Sequence, residues 1–253
     1  MLISLFAGHT LRDATRREWN GQLANLSSVL AEHAAQTMFS AHTVMDSIAE
    51  EFKGQAFRTA GEFERFAVTR NLHEGMTQRI QGNPIIAAAM VLTPDGRLLA
   101  STRLHPAPPV DLSEREFVAV HRASPLLAHH TGAPVRSKAN GMWLFHLSQP
   151  VYDVHGRLAG ILAVAVSIEW FSELYHRLVT QFGEGASISL WRDDFMLMTR
   201  WPFTENQIGK VNHQTATCEM IGRERLGYGV RTHGSLQEFT GVSGVDRLAA
   251  LRV

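Results

Sequence analysis

"GMWLFHLSQPVYDVHGRLAGILAVAVSI", residues 141–168, reads as two long strands joined by a tight turn. In the first strand, alternation sends Trp143 and Phe145 to one face and Leu144 and His146 to the other. "VHGR" (154–157) carries the glycine that a tight turn uses. "LAGILAVAVSI" (158–168) is apolar almost throughout, as expected of a strand covered on both sides. Two such strands in succession predict the centre of an antiparallel sheet.

The neighbouring stretches extend that sheet. Upstream, "IIAAAMVL" (85–92) and "RLLAST" (97–102) read as strands around the turn "TPDG" (93–96). "PVRSK" (134–138) is a further short strand, reached through the loop "HHTGAP" (129–134). Downstream, "EWFSELYHRLVTQFG" (169–183) predicts a helix that closes the unit. Between the strands, "DLSEREF" (111–117) opens a short helix. Ser113 and Glu116 have the spacing of a capping box, in which each side chain satisfies a free backbone N–H. The same first turn holds Arg115, a fixed cation where the helix dipole favours anions.

The N-terminal third is helical in pattern. From about Leu11 to Gln55 there is no proline, and Leu23, Leu26, Leu30, Ala34, Met38, Ala41, Met45, Ile48 and Phe52 follow one another in steps of three or four. A helix of that length is a rod of roughly 60 Å, with a stutter between Leu30 and Met38. It either packs along two domains or pairs with another chain. A second helix is predicted over Glu62 to Gln81, with Phe63, Phe66, Ala67, Leu72, Met76 and Ile80 on its apolar stripe. The first residues, "MLISLFAGH", are apolar over too short a run to span a bilayer and fit a signal peptide poorly. They read either as a frayed helix start or as the trailing end of a membrane helix.

The C-terminal third repeats the pattern. "ASISLWRDDFMLMTRWP" (186–202) echoes the strand–turn–strand of residues 85–102, with Arg192 over Pro94 at an offset of 98 residues. "HGSLQEFTGVSGVDRLAALRV" (233–253) echoes residues 132–151, with Gly244 over Gly141 at an offset of 103. The expectation is a duplicated module of about a hundred residues whose second copy is incomplete.

Composition narrows the function. The chain has 253 residues, 45% of them hydrophobic and 19% charged, which is globular composition. With 24 basic and 24 acidic residues and no basic block, a nucleic-acid partner is not expected. Cys218 is the only cysteine, so no internal disulfide and no thiolate metal cluster is possible. Nucleophile elbows, phosphate loops, zinc-protease motifs and dinucleotide-binding glycine runs are all missing from the sequence. Thirteen histidines invite a metal, but they are scattered. His129 and His130 read as solvated loop residues, and no metal or cofactor is expected. Asp193 and Asp194 read as turn residues, and the sequon at Asn25 falls in mid-helix. What remains is a set of polar and aromatic groups around the first sheet: Arg115, Phe117, His121, Arg136, Trp143, Phe145 and Tyr152. A cation with aromatic walls on a concave sheet suits a small anionic or zwitterionic molecule. Core aromatics with arginines reaching to solvent are the plainer alternative.

The long helix, "VLTPDGRLLAST", "DLSEREF", the 134–175 run and "ISLWRDDFMLMTRWP" together resemble a double Cache domain. These are paired PAS-like modules in the extracytoplasmic part of bacterial receptors. The likeness covers residues from about 20 to the end and is nearer to sensors attached to diguanylate cyclases than to those of histidine kinases. It implies an α+β fold: stalk helices over 1–82, a membrane-distal PAS-like module over 83–183 and a membrane-proximal one over 184–253. It also implies a periplasmic location, flanking transmembrane helices, a homodimer through the long helix and a ligand pocket in the distal module. The family's pocket falls here on Arg115, Phe117, His121, Arg136, Trp143, Phe145 and Asp153. Phe117 stands where an aromatic hydroxyl is common, and the pattern of amino-acid-binding members is incomplete. No "GGDEF" or kinase motif occurs, so the fragment is not expected to be an enzyme. The rival readings are a ligand-free spacer that dimerises through the helix, and a small hydrolase, for which no nucleophile–base pairing is found.

Overall fold

A computed structural model describes residues 2–124, 126–179, 187–211, 235–240 and 246–251. The chain divides into two units, residues 38–211 and residues 1–37 with 212–253. Helix α1 (Leu2–Lys53) contributes to both.

In the unit 38–211, α1 is followed by α2 (Ala60–Ala67) and α3 (Arg70–Ile80). One helix is predicted over 62–81; two are found, because Thr69 ends one and begins the next. Its hydroxyl donates to Phe66 O at 2.8 Å and accepts from the Leu72 N–H at 3.3 Å, which caps α3. The stripe expected on α1 is buried at Ala41, Met45, Ile48 and Phe52. Phe52 meets Phe63 and Phe66 of α2.

The sheet comprises β1 (Ile86–Leu92), β2 (Leu98–Ser101), β3 (His130–Thr131), β4 (Val135–Arg136), β5 (Trp143–Tyr152) and β6 (Leu158–Ser167). The order is β2-β1-β6-β5-β3, with β4 also on β5, and every pairing is antiparallel. The strands read from residues 141–168 are thus β5 and β6, paired from Leu144↔Ser167 to Tyr152↔Leu158. Buried from Ala159 to Ser167, β6 is covered on both faces, which accounts for its unbroken apolar run.

One sheet face is covered by helices. Gly160 lies under Phe63, where an added Cβ would sit 2.1 Å from the ring. Phe145 meets Phe171 of α5 (Ile168–Val179) on the same face. The other face is covered by α4 (Glu116–Ala123), whose Phe117 and Val118 pack with Leu92, Leu112, Ile161 and Ala163.

After α5, β7 (Ile188–Trp191) and β8 (Leu197–Trp201) form a separate hairpin within this same unit. The proposed module boundary after residue 183 therefore falls inside it. Asp193 and Asp194 occupy the hairpin turn. In the other unit, β9 (Ser235–Thr240) pairs with β10 (Asp246–Leu251), a hairpin where the repeat predicts one. Cys218 lies outside the described residues. Among the described residues no helix is long and apolar enough to cross a membrane.

Candidate functional site

The predicted capping box does not form. Helix α4 starts at Glu116 with Arg115 as its N-cap, and no side chain caps it. The Ser113 N–H instead donates to Asp111 Oδ1 at 2.8 Å. Glu116 is drawn away from the helix end. Its Oε2 accepts from the Ala133 N–H at 2.6 Å, and its two oxygens lie 3.3 and 3.4 Å from the Arg192 guanidinium.

That rearrangement leaves Arg115 turned inward. Its side chain is only 11% exposed, and Nη2 donates to the carbonyl of Arg136 at 3.0 Å. Nε lies 3.2 Å from Glu114 yet makes no hydrogen bond. Beneath α4, the facing residues of β5 are Leu144, His146 and Ser148, and those of β1 and β6 are Ala88, Met90, Ala163 and Ala165. Phe117 lies over His146, the ring centres 5.0 Å apart. His121 Nε2 meets Ser148 Oγ at 2.9 Å, while its Nδ1 is buried without a partner. Burial pushes the His121 pKa down to about 4, reinforced by His130. Burial and the neighbouring Arg115 cation push that of His146 down to about 3.

The seven expected site residues do not form one group. Arg115, Phe117 and His121 gather on the α4 face. Trp143 and Phe145 turn to the opposite face by the alternation of β5, Phe145 onto Phe171. Arg136 stacks over the Trp143 ring at 5.0 Å and binds Glu205 at 2.6 Å, so its charge is engaged at the surface. Asp153 lies apart from both groups. It closes the β5–β6 turn, accepting from the His155 and Arg157 N–H groups at 2.9 Å and pairing with the Arg157 guanidinium. That turn is the end of β5 remote from Trp143, ten residues or roughly 33 Å along the strand.

His146, Ser148 and His130, which the expected site did not include, lie beside Phe117 and His121. His146 and Ser148 lie on the face of β5 opposite the aromatic residues, and a strand's alternation alone does not say which face receives the ligand. His130, expected in a loop, sits in the two-residue strand β3 opposite Ser148. An element that short carries no readable period. Its Nε2 is buried 3.6 Å from Glu116, and burial lowers its pKa.

A second feature lies at the β3 edge. A cleft of about 560 Å3 opens between β3, β5 and the β7–β8 turn, lined by Phe145 together with Met38, His130, Trp191, Asp193 and Asp194 among others. Among the described residues, no group of three or more histidine, cysteine, aspartate or glutamate side chains is placed to hold a metal ion.

No protein-family model matches the chain, and no curated protein matches it. Solved structures do. The extracellular domain of rpHK1S-Z16, assigned as a histidine kinase, is 24% identical with a TM-score of 0.67, the match covering 93% of this chain and 89% of that one. The periplasmic sensory domain of the Campylobacter jejuni chemoreceptor Tlp1 is 10% identical with a TM-score of 0.69, covering 92% and 88%. The ligand-binding domain of the Pseudomonas aeruginosa PAO1 amino-acid chemoreceptor PctC, in complex with GABA, is 12% identical with a TM-score of 0.55, covering 92% and 98%. The chain thus has the α+β fold of receptor sensor domains, the fold that the double Cache resemblance implies.

Proposed function

We propose that this chain is the ligand-sensing ectodomain of a bacterial transmembrane receptor, with tandem modules over 83–183 and 184–253, and that it is not itself an enzyme. The observation that carries this reading is Arg115. This guanidinium, its side chain 11% exposed, is paired with Glu114 through Nε and with the Arg136 carbonyl through Nη2, and its five N–H donors outnumber those two partners. It stands at the N-terminus of α4 near His146, on the face that Ala88, Met90, Ala163 and Ala165 share. That arrangement suits the carboxylate of a small anionic or zwitterionic molecule. The PctC neighbour, bound to GABA, and a Pseudomonas fluorescens neighbour, CtaA, bound to L-isoleucine, support a ligand of this kind.

Binding shifts a receptor only through a difference in affinity between two states. Clamping by Arg115 would favour the state in which α4 is closed on the sheet, and the change would pass through α1 and α5 to the membrane. The output domain is a diguanylate cyclase by sequence resemblance; a histidine kinase is supported by the rpHK1S-Z16 neighbour. Pairing of two chains through α1 is supported by Val29 and Phe39, 62% and 75% exposed on that helix.

The test is a thermal-shift screen of amino acids and small carboxylates against the purified chain, with sedimentation velocity on the same samples to report pairing. At a hundredfold excess over Kd a ligand stabilises by about 2.7 kcal/mol. Arg115→Ala is expected to abolish the shift; a shift that survives it counts against this site. A second reading has its own support: Phe117, His121, His146 and Ser148 are all buried and fill the α4 face. A ligand-free spacer requires such filling, and under that reading no compound in the screen moves the melting temperature.

A further inference from the structure

The cleft at the β3 edge stands apart from the α4 face, and its lining brings thioether sulfur and imidazole together. Two methionines, Met38 and Met198, share it with His129 and with the rings of Phe145 and Trp191. Met38 and His42 are four residues apart on α1, so they lie on one face of that helix, a turn from each other. His42 in turn meets His129, the ring centres 5.3 Å apart. Two imidazoles that bind one metal at about 2 Å per nitrogen hold their ring centres about 5 Å apart. The observed spacing is therefore that of a pair able to share an ion. Burial, with His129 beside it, lowers the pKa of His42, and the neutral imidazole is the form that binds metal. Among the described residues, no carboxylate or third histidine completes a metal-binding group with these two. Asp46, a turn further along α1, contributes negative charge near His42. The third donor on offer is the thioether of Met38.

We propose that Met38, His42 and His129 form a site for a soft monovalent cation, copper(I), with one sulfur and two nitrogen donors. Thioether sulfur beside imidazole favours copper(I) over calcium or magnesium, which take oxygen, and over zinc, which gains little from a thioether. The ring faces of the cleft add to the attraction, because an aromatic quadrupole favours a cation. The site joins α1 to the segment entering β3 and uses no residue of the α4 face.

The experiment is calorimetric titration of the 253-residue chain with silver nitrate in chloride-free buffer, silver(I) serving as a redox-inert stand-in for copper(I). Every sample carries Cys218→Ser, so that the single thiol does not compete. One silver ion per chain is expected to bind, at least tenfold more tightly than zinc. Met38→Leu conserves side-chain volume and should weaken silver about tenfold, equivalent to 1.4 kcal/mol, while leaving zinc unaffected. His129→Ala should weaken both ions. His155→Ala, in the exposed β5–β6 turn, should change neither. Arg115→Ala should bind silver as the parent does, which separates failure here from failure of the α4-face reading. A retained cooperative melt shows that each variant folds. No saturable silver binding, zinc binding as tight as silver, or a silver affinity unchanged by both Met38→Leu and His129→Ala would each overturn the assignment. So would an equal loss with His155→Ala, which would mean an adventitious ion only.

Discussion

His146 is 5% exposed on β5, and burial together with the Arg115 cation brings its pKa down to about 3. In the unfolded chain an ordinary histidine takes up its proton near pH 6.5, so below that value the unfolded state binds more protons than the folded one. The stability due to neutral His146 is therefore complete above about pH 6.5 and is lost as pH falls toward 3. His121, whose pKa is pushed down to about 4, acts in the same direction. By about pH 5 the stability lost through His146 alone is on the order of 2 kcal/mol. Urea melts at neutral and mildly acid pH should show this loss, and His146→Leu should flatten the dependence. An anionic ligand beside Arg115 would withdraw some of the positive potential that holds His146 neutral. Binding and proton uptake at His146 should then be linked.

At the scale of elements, the contact of α2 with β6 is set by one missing side chain. Phe63 lies directly over Gly160, and a Cβ there would also approach the Leu92 carbonyl to 2.7 Å. Gly160→Ala should destabilise the unit by roughly 1–3 kcal/mol, as overpacking of a tight core does. A melting temperature within a degree of the parent would show that α2 can move away freely. The long elements were legible in the sequence because period and length agree: α1, β5, β6 and α5 each repeat their signal several times. The break at Thr69 was not, because a single hydroxyl ends one helix and caps the next without disturbing the apolar stripe. Nor was the start of α4. Ser113 and Glu116 have capping-box spacing, yet a backbone N–H from residue 133 and a guanidinium from residue 192 compete for the same carboxylate. Such partners, distant in sequence, leave no local pattern. The same holds for the candidate site. Arg115 was visible as a misplaced charge, but the separation of Phe145 from Phe117 onto opposite faces needed the sheet itself.

For the unit as a whole, Glu116 is a junction between the first sheet and the β7–β8 hairpin. It joins α4, the β3–β4 connection and the hairpin turn at one carboxylate, with Arg192 only 14% exposed on the other side. Glu116→Gln keeps an acceptor for the Ala133 N–H but removes the charge facing Arg192. With Glu116 36% exposed, the cost is screened and should be about 1 kcal/mol, a few degrees in melting temperature. Hydrogen exchange should rise over residues 188–201 while β5 and β6 keep their protection. Uniform protection in the variant would show that the hairpin is held by packing alone.

The same junction bears on how receptors of this fold can be recombined. A hybrid that replaces everything after α5 with the corresponding part of another chain of this fold would remove Arg192 and leave the Glu116 carboxylate without its cation. The compact unit that holds both Glu116 and Arg192 runs to Val211, beyond the β7–β8 hairpin. Successful chimaeras should therefore cross over after residue 211 rather than at the apparent repeat boundary, and their expression yields would register the difference.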